Sequence, residues 1–309
     1  MRILSAALAI VVGLVSSTAD ASCAGKGVSV QVLGSGGPVA DDARASSGYV
    51  LWVDGHARVL VDAGGGTFVR FGESKADIAD LALIAITHFH ADHVADLPAL
   101  IKSGFFSDRS NALAISGPDG GDEFPSLEEF LADEFDAKRG AFRYLSGALD
   151  GTGGLFKLIP QQVPAAGRTP VVVFKSAELA VEAVGVPHGP VPALAYVIHV
   201  RGRTVAFSGD QNGSDQAFWT LARGADLLIM DSAIPEKTDA VAGRLHAVPS
   251  VIGTHAANAA IRRLVLSHLM ARSLHTLDEN LAVIRRTFKG RIDVANDLSC
   301  YPLEGAHSS

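Results

Sequence analysis

Cysteine is almost missing from this chain: Cys23 and Cys300 are the only two in 309 residues. That leaves room for one disulfide or two free thiols and nothing more. Charge is sparse as well. Only 19% of residues are charged, the net charge is −7, and no basic run occurs. A nucleic-acid partner held by many phosphate contacts is therefore not expected. Apart from one short stretch at the start, no apolar run approaches membrane-spanning length, so no stable membrane anchor is expected. There is no internal repeat, heptad pattern or low-complexity linker. The two glycine-rich turns, "GSGGP" and "DAGGGT", lack the Lys-Ser/Thr ending of a phosphate-binding P-loop.

Residues 1–21 read as a secretory signal. Arg2 supplies the positive start, Ile3 to Val15 the apolar stretch and "ADA" (19–21) a small-x-small cleavage site. The expected mature chain is one domain over 22–309, periplasmic or secreted, in an oxidising compartment where Cys23 and Cys300 pair. With 48% hydrophobic residues it can bury a large core. "VSVQVLG" reads as a strand, and the runs flanking Gly55 as a hairpin, with a second hairpin turn at Arg201-Gly202. "LALIAITH", "ADLLIMD" and "RRLVLSH" are unbroken apolar runs of the kind found in strands covered on both faces. A helix is expected from near Asp92 past Leu97, with Pro98 awkward in its interior. Further helices are expected at "SLEEFLADEF" behind Ser126, at "SVIGTHAANAA" and at "LDENLAVIRRTF", then one last strand through "IDVANDLSCY". The first half is strand-rich and the second alternates strand and helix, an α/β chain.

The chemistry concentrates in "THFHADH" (87–93). His88 and His90 share a face of an extended segment, whereas Asp92 and His93 project differently. That arrangement suits two metal ions better than one. Imidazole nitrogen and carboxylate oxygen are the donors zinc prefers. The ligands still missing should sit at other strand ends, and three candidates do: His188 after "VEAVGVP", Asp210 after "TVAFSG" and His268 after "RRLVLS".

This pattern resembles the metallo-β-lactamase-fold hydrolases over nearly the whole mature chain, from "GSGGP" through "DAGGGT" to "LSH". The resemblance implies an αββα sandwich with a dinuclear centre between the sheets. By that match His88, His90 and His188 hold one metal, Asp92, His93 and His268 the other, and Asp210 bridges them. Zinc is expected, with manganese or iron compatible. Asp62 recurs in the family beside the metals and is expected to orient a ligand, as is Asp231. Two such ions lower the pKa of a shared water and polarise the electrophile. Asp92 is placed to orient that water. The segment "LHAVPS" resembles one in ribonuclease Z, which makes His246 the expected proton donor to the leaving group. The other histidines (His56, His199, His255, His275, His307) read as ordinary polar residues.

The opening motif and His246 lean towards the ribonuclease Z-like and arylsulfatase-like branch. Ribonuclease Z carries a long tRNA-gripping arm between its third histidine and bridging aspartate. The interval from His188 to Asp210 holds only two strands and a turn. That shortness and the acidic charge point to an exported hydrolase of a small phosphodiester or sulfate ester, with no nucleic-acid partner and with dimerisation as a family habit. The alternatives are a lactonase or carboxylic esterase, a β-lactamase, and a metal-binding protein without catalysis. The two phenylalanines of "KSGFF" suit either an apolar substrate pocket or the core, and the surrounding segment 103–160 is expected to cap or border the site.

Overall fold

Fourteen strands are described in the computed structural model, which covers residues 23–303; the expected signal segment 1–21 and His307 lie outside the described residues. In chain order they are β1 (Val28–Gly34), β2 (Gly48–Val53), β3 (His56–Val61), β4 (Leu83–Ala85), β5 (Leu113–Pro118), β6 (Leu158–Val163) and β7 (Val171–Lys175). They continue as β8 (Leu179–His188), β9 (Val191–Val200), β10 (Arg203–Phe207), β11 (Leu227–Asp231), β12 (Arg263–Ser267), β13 (Arg291–Val294) and β14 (Cys300–Leu303). Seven form one sheet in the order β14-β1-β2-β3-β4-β5-β6, and seven the other in the order β13-β12-β11-β10-β9-β8-β7.

The unbroken apolar runs are the parallel strands. β3 through β6 run parallel in the first sheet, and β10 through β13 in the second. Both faces of these strands are covered. Val59, Leu83, Val205 and Ile229 meet in the core between the sheets. Leu60 and Ile84 face outward onto Leu97, Ile101 and Leu131 of the first helical layer. Leu228 and Leu264 face outward onto Trp219, Ile252 and Ile284 of the second. The result is the expected αββα sandwich. A buried leucine contributes roughly 1.5–3 kcal/mol by leaving water, so the three apolar layers carry most of the stability.

Local chemistry explains the turns. Asp54 and Gly55 have φ of 48° and 84°, and Arg201 and Gly202 have 49° and 73°. Two successive left-handed residues make the tight turn whose twist matches a hairpin. The helix expected from Asp92 is in fact two, Ala91–Val94 and Leu97–Gly104, broken at Ala95-Asp96. Pro98 then falls in a first turn, where its missing N–H removes no hydrogen bond. The single last strand is also two: β13 closes the edge of one sheet and β14 the edge of the other. The Asn296–Ser299 turn lets the chain cross between the layers, and a local reading of "IDVANDLSCY" carries no signal for that change of sheet.

Cys23 and Cys300 are joined in a disulfide with Cα atoms 5.5 Å apart. It ties the start of the described chain to β14, a strand paired only with β1. The bridge spans 277 residues. A crosslink over so long a loop removes much unfolded-state entropy, about 5 kcal/mol in the chain-entropy picture and usually less in practice. Cys300→Ser should therefore lower the unfolding free energy by roughly 2–5 kcal/mol in urea titration. A midpoint equal to that of the parent chain would contradict a stabilising role.

Candidate metal centre

Parallel strands bring their C-terminal ends to one edge of each sheet, and the ligand-type residues sit just beyond those ends. Asp62 follows β3, the "THFHADH" segment follows β4, Asp210 follows β10, Asp231 ends β11 and His268 follows β12. His188, at the end of antiparallel β8, joins them. Two positions hold left-handed backbone, Asp62 at φ 58° and His268 at φ 52°. Such conformations cost a non-glycine residue about 1 kcal/mol or more, and persist where surrounding contacts over-determine them. The glycine turns serve close approach. A Cβ on Gly64 would overlap the Asp92 carbonyl oxygen, and one on Gly37 would lie 2.9 Å from the His268 ring.

Each imidazole is held from behind. Asp62 accepts from the Thr87 N–H (2.8 Å), the Thr87 hydroxyl (2.9 Å) and His93 Nδ1 (2.8 Å), which turns His93 Nε2 forward. His188 donates from Nδ1 to the Leu245 carbonyl at 2.8 Å. His88 and His90 face the same way as the extended backbone requires, with His88 Nε2 3.1 Å from His90 Nδ1. Phe89 between them turns away and stacks on Phe130 at 4.6 Å. One oxygen of Asp210, Oδ2, lies 3.9 Å from His88 Nε2, 3.6 Å from His93 Nε2, 3.8 Å from His188 Nε2 and 3.2 Å from His268 Nε2. Asp92 Oδ2 is 3.2 Å from His268 Nε2 and 3.6 Å from His93 Nε2.

These donors fit divalent metal ions. Ligands about 2.0–2.1 Å from a tetrahedral ion lie about 3.3 Å from one another, and the facing donor atoms here are 3.1–3.9 Å apart. Two triads each have their ligand atoms within 4.8 Å: His88, His90 and His188, and Asp92, His93 and His268. Asp210 groups with His88 and His93 and also with His268, so its carboxylate stands between the triads. His93 Nε2 and His188 Nε2 are buried and make no hydrogen bond, an expense that a metal–nitrogen bond removes.

The electrostatics agree. Burial, with neighbouring imidazoles, holds His88 well below its ordinary pKa, and burial lowers His90 and His188 too. Neutral imidazole is the ligand form. His93 and His268 go the other way. Burial opposes their charge, but Asp210 and the other carboxylates outweigh it, so that His93 lies well above the usual range and His268 at about 9. Burial also opposes the Asp92 carboxylate, yet His268 and His93 hold it at about 2. The carboxylates thus draw positive charge into the site as protons where metal is lacking. Divalent metal added to the stripped protein at pH 7 should release protons, chiefly from His93 and His268. Calorimetry in buffers of different ionisation enthalpy reads this, and a buffer-independent heat would contradict it.

His246 stands beside these groups. Its Nδ1 donates to Asp231 Oδ2 at 2.7 Å, and Asp231 Oδ1 lies 3.6 Å from His268 Nδ1. This leaves His246 Nε2 for the cleft that the residue lines. The cleft, of about 430 Å³, is walled by Pro38, Leu245 and Met270 and floored by ligand residues. All the sequence-predicted site residues converge here: Asp62, His88, His90, Asp92, His93, His188, Asp210, Asp231, His246 and His268. His56 pairs with Asp80, His199 with Glu182, and His255 stacks on Trp219, all away from the centre.

Other expectations are corrected. Phe105 and Phe106 are not in the lining of the metal cleft: they follow the helix Leu97–Gly104 and are exposed beside the Lys102 ammonium. Of segment 103–160, the loop 119–125 comes near, with the Phe124 ring 6.0 Å from His90; the rest supplies β5, β6 and outer-layer helices. Two supporting residues were not foreseen. Thr87 joins Asp62 to His88, and the Tyr196 hydroxyl donates to the Ile86 carbonyl at 2.8 Å, fixing the end of β4. The Thr-His pairing was visible in the sequence, whereas nothing there pointed to Tyr196.

Comparison with known proteins corrects the partner expectation. Ribonuclease Z of Methanosarcina acetivorans is 29% identical over 297 residues, spanning 87% of this chain and 96% of that protein. Ribonuclease Z of Metallosphaera sedula is 28% identical over 286 residues, spanning 84% and 94%. The crystal structure of human tRNase Z, short form, superposes with a TM-score of 0.68 at 22% identity, covering 90% of this chain and all of that one. A metallo-beta-lactamase fold protein of Bacillus subtilis gives 0.67 at 22% identity, covering 89% of this chain and 99% of that one. Relatives named as ribonucleases overturn the small phosphodiester or sulfate ester, its lactone, lactam and non-catalytic alternatives, and the exclusion of nucleic acid. The physical error was to read net charge as if it were local potential: a cleft whose cations are metal ions needs no basic surface to attract phosphate. The profile described as "Beta-lactamase superfamily domain" matches residues 57–269. On that match and this geometry the chain belongs to the beta-lactamase superfamily, is similar to ribonuclease Z proteins, and is a metal-dependent hydrolase.

Proposed function

We propose that this protein hydrolyses phosphodiester bonds in RNA with two zinc ions. The observation that carries the reading is the position of Asp210 Oδ2 between the two triads, with the Asp231–His246 pair beside it. The ribonuclease Z relatives support RNA as the substrate class. In this reading His88, His90 and His188 would hold one ion and Asp92, His93 and His268 the other, with Asp210 available to both. The donor set of imidazole nitrogens with few carboxylate oxygens favours zinc over magnesium or calcium. When bound, the ions supply Lewis-acid activation of water and offset charge on the reacting phosphoryl group.

The chain's own residues do the rest. Asp92 orients the attacking water through its carboxylate and takes up the proton that water sheds as it attacks. As the water oxygen bonds to phosphorus and the bond to the leaving oxygen breaks, His246 Nε2 delivers the proton that oxygen needs. Asp231 accepts from Nδ1, which fixes the ring's tautomer and favours its charged form. Pro38, Leu245 and Met270 give the cleft an apolar wall against which a base or ribose can lie.

The test is metal content together with hydrolysis of a 3′-extended RNA hairpin and of bis-(p-nitrophenyl) phosphate, before and after chelation. About two zinc per chain, with RNA cleavage lost on chelation and restored by zinc, is expected. A fully metallated protein that cleaves no RNA would sink the proposal. The disulfide also supports function in an oxidising compartment outside the cytoplasm; recovery of the chain only in a cytoplasmic fraction, with residues 1–21 intact, would count against that.

A further inference from the structure

Arg272 is the single lysine or arginine in the wall of the metal cleft. It also lines a second concavity of about 640 Å³, together with Pro235, Glu236, Lys237, Thr238 and Asp239. The two hollows are therefore neighbours that share one guanidinium. Arg272 is exposed, and its Nε donates to the Ala233 carbonyl at 3.0 Å while Nη2 meets the Met270 sulfur at 3.4 Å. Both of these hydrogen-bond partners are neutral; Asp239, held chiefly by the Ala242 and Val241 N–H groups, also feels the Arg272 charge. Lys237 is exposed in the same hollow.

The two acidic residues there are turned to other work. Glu236 accepts from the Ser250 N–H at 2.8 Å, in the first turn of the helix Pro249–Asn258. Asp239 accepts from the N–H groups of Val241 and Ala242, both at 2.9 Å, and caps the helix Ala240–Leu245. Helix N-termini carry partial positive charge that offsets a carboxylate. The hollow thus offers two cations, Arg272 and Lys237, beside the metal cleft, with its two carboxylates held by N–H groups at helix starts. Cations that contact the phosphates of a nucleic-acid strand set position rather than sequence.

We infer that the hollow between the 235–239 loop and Arg272 binds a phosphate adjacent to the scissile one, through Arg272 and Lys237. This rests on the RNA reading above. It makes these two residues determinants of preference for a polynucleotide over an isolated phosphodiester.

The experiment compares kcat/KM for an RNA oligonucleotide with that for bis-(p-nitrophenyl) phosphate, which has no neighbouring phosphate. It uses the metal-loaded wild-type, Lys237→Gln and Arg272→Gln proteins at several salt concentrations. Each substitution should lower the RNA-to-bis-(p-nitrophenyl) phosphate ratio about fivefold. Each should also flatten the salt dependence for RNA by about 0.7 in log–log slope, the value for one lost single-strand phosphate contact. Arg272→Lys should keep the slope. Lys237→Gln, at an exposed position, keeps the test sound if Arg272→Gln disturbs the loop held by Ala233. A ratio and slope equal to wild type in both variants overturns the subsite while leaving RNA cleavage standing. A wild-type protein that cleaves bis-(p-nitrophenyl) phosphate but no RNA overturns the RNA reading and the subsite with it.

Discussion

Asp210→Ala should remove metal from both halves of the centre at once and lower kcat/KM by at least about a thousandfold. The reason is geometric. Asp210 Oδ2 lies within 3.9 Å of nitrogen atoms on His88, His93, His188 and His268, so one oxygen serves both triads. Among the described residues, Asp210 is the carboxylate that groups with members of both triads. His90→Ala, by contrast, removes a half-buried donor from one triad only, and should leave one ion per chain more tightly held than the other. Elemental analysis after gel filtration separates the two patterns. An Asp210→Ala protein that keeps two ions and full turnover would end the bridging assignment. Folding itself is checked by circular dichroism, because a buried site with unpaired imidazoles loses part of its cohesion.

The second large effect concerns proton delivery. His246→Ala should keep its metal yet lose about a hundred- to ten-thousandfold in kcat on RNA, whose leaving group needs a proton. The loss should be much smaller on a substrate with a good leaving group such as p-nitrophenolate. Asp231→Asn gives the finer test. Burial lowers the pKa of His246, but the Asp231 carboxylate at 2.7 Å outweighs this and raises it above the ordinary value. The protonated donor is present below that raised pKa, and activity falls as pH rises through it. Removing the Asp231 charge while keeping an acceptor lowers the His246 pKa, so the alkaline limb of kcat moves to lower pH. A limb that stays in place, or moves to higher pH, would contradict the pairing.

The residues of the centre were readable because their chemistry is rare and their placement repeats. A histidine or aspartate just past an apolar run recurs at His88, Asp210 and His268, and each run proved to be a parallel strand or its neighbour. Hairpins were readable where two consecutive residues had to be left-handed, as at Asp54-Gly55 and Arg201-Gly202. Less was readable where the outcome depends on distant partners. "IDVANDLSCY" has strand character throughout, yet it divides between two sheets because β12 and β1 offer open edges on opposite layers. The "KSGFF" aromatics were apolar enough for a pocket, but just past the helix Leu97–Gly104 they face solvent and Lys102. The substrate was misjudged because net charge sums over the whole surface, while binding depends on the field in one cleft.

By itself, then, the sequence determined the donor types, their order along the chain and the periodicities of the strands that carry them, since these follow from side-chain chemistry and local backbone preference. Only the tertiary structure decided which nitrogen of each imidazole faces the centre. Asp62 turns His93, the Leu245 carbonyl turns His188 and Asp231 turns His246. It also decided that Arg272 and Lys237 share a hollow beside the cleft. Those contacts join residues far apart in the chain, and a hydrogen bond is set by distance and angle in space, which no local pattern encodes.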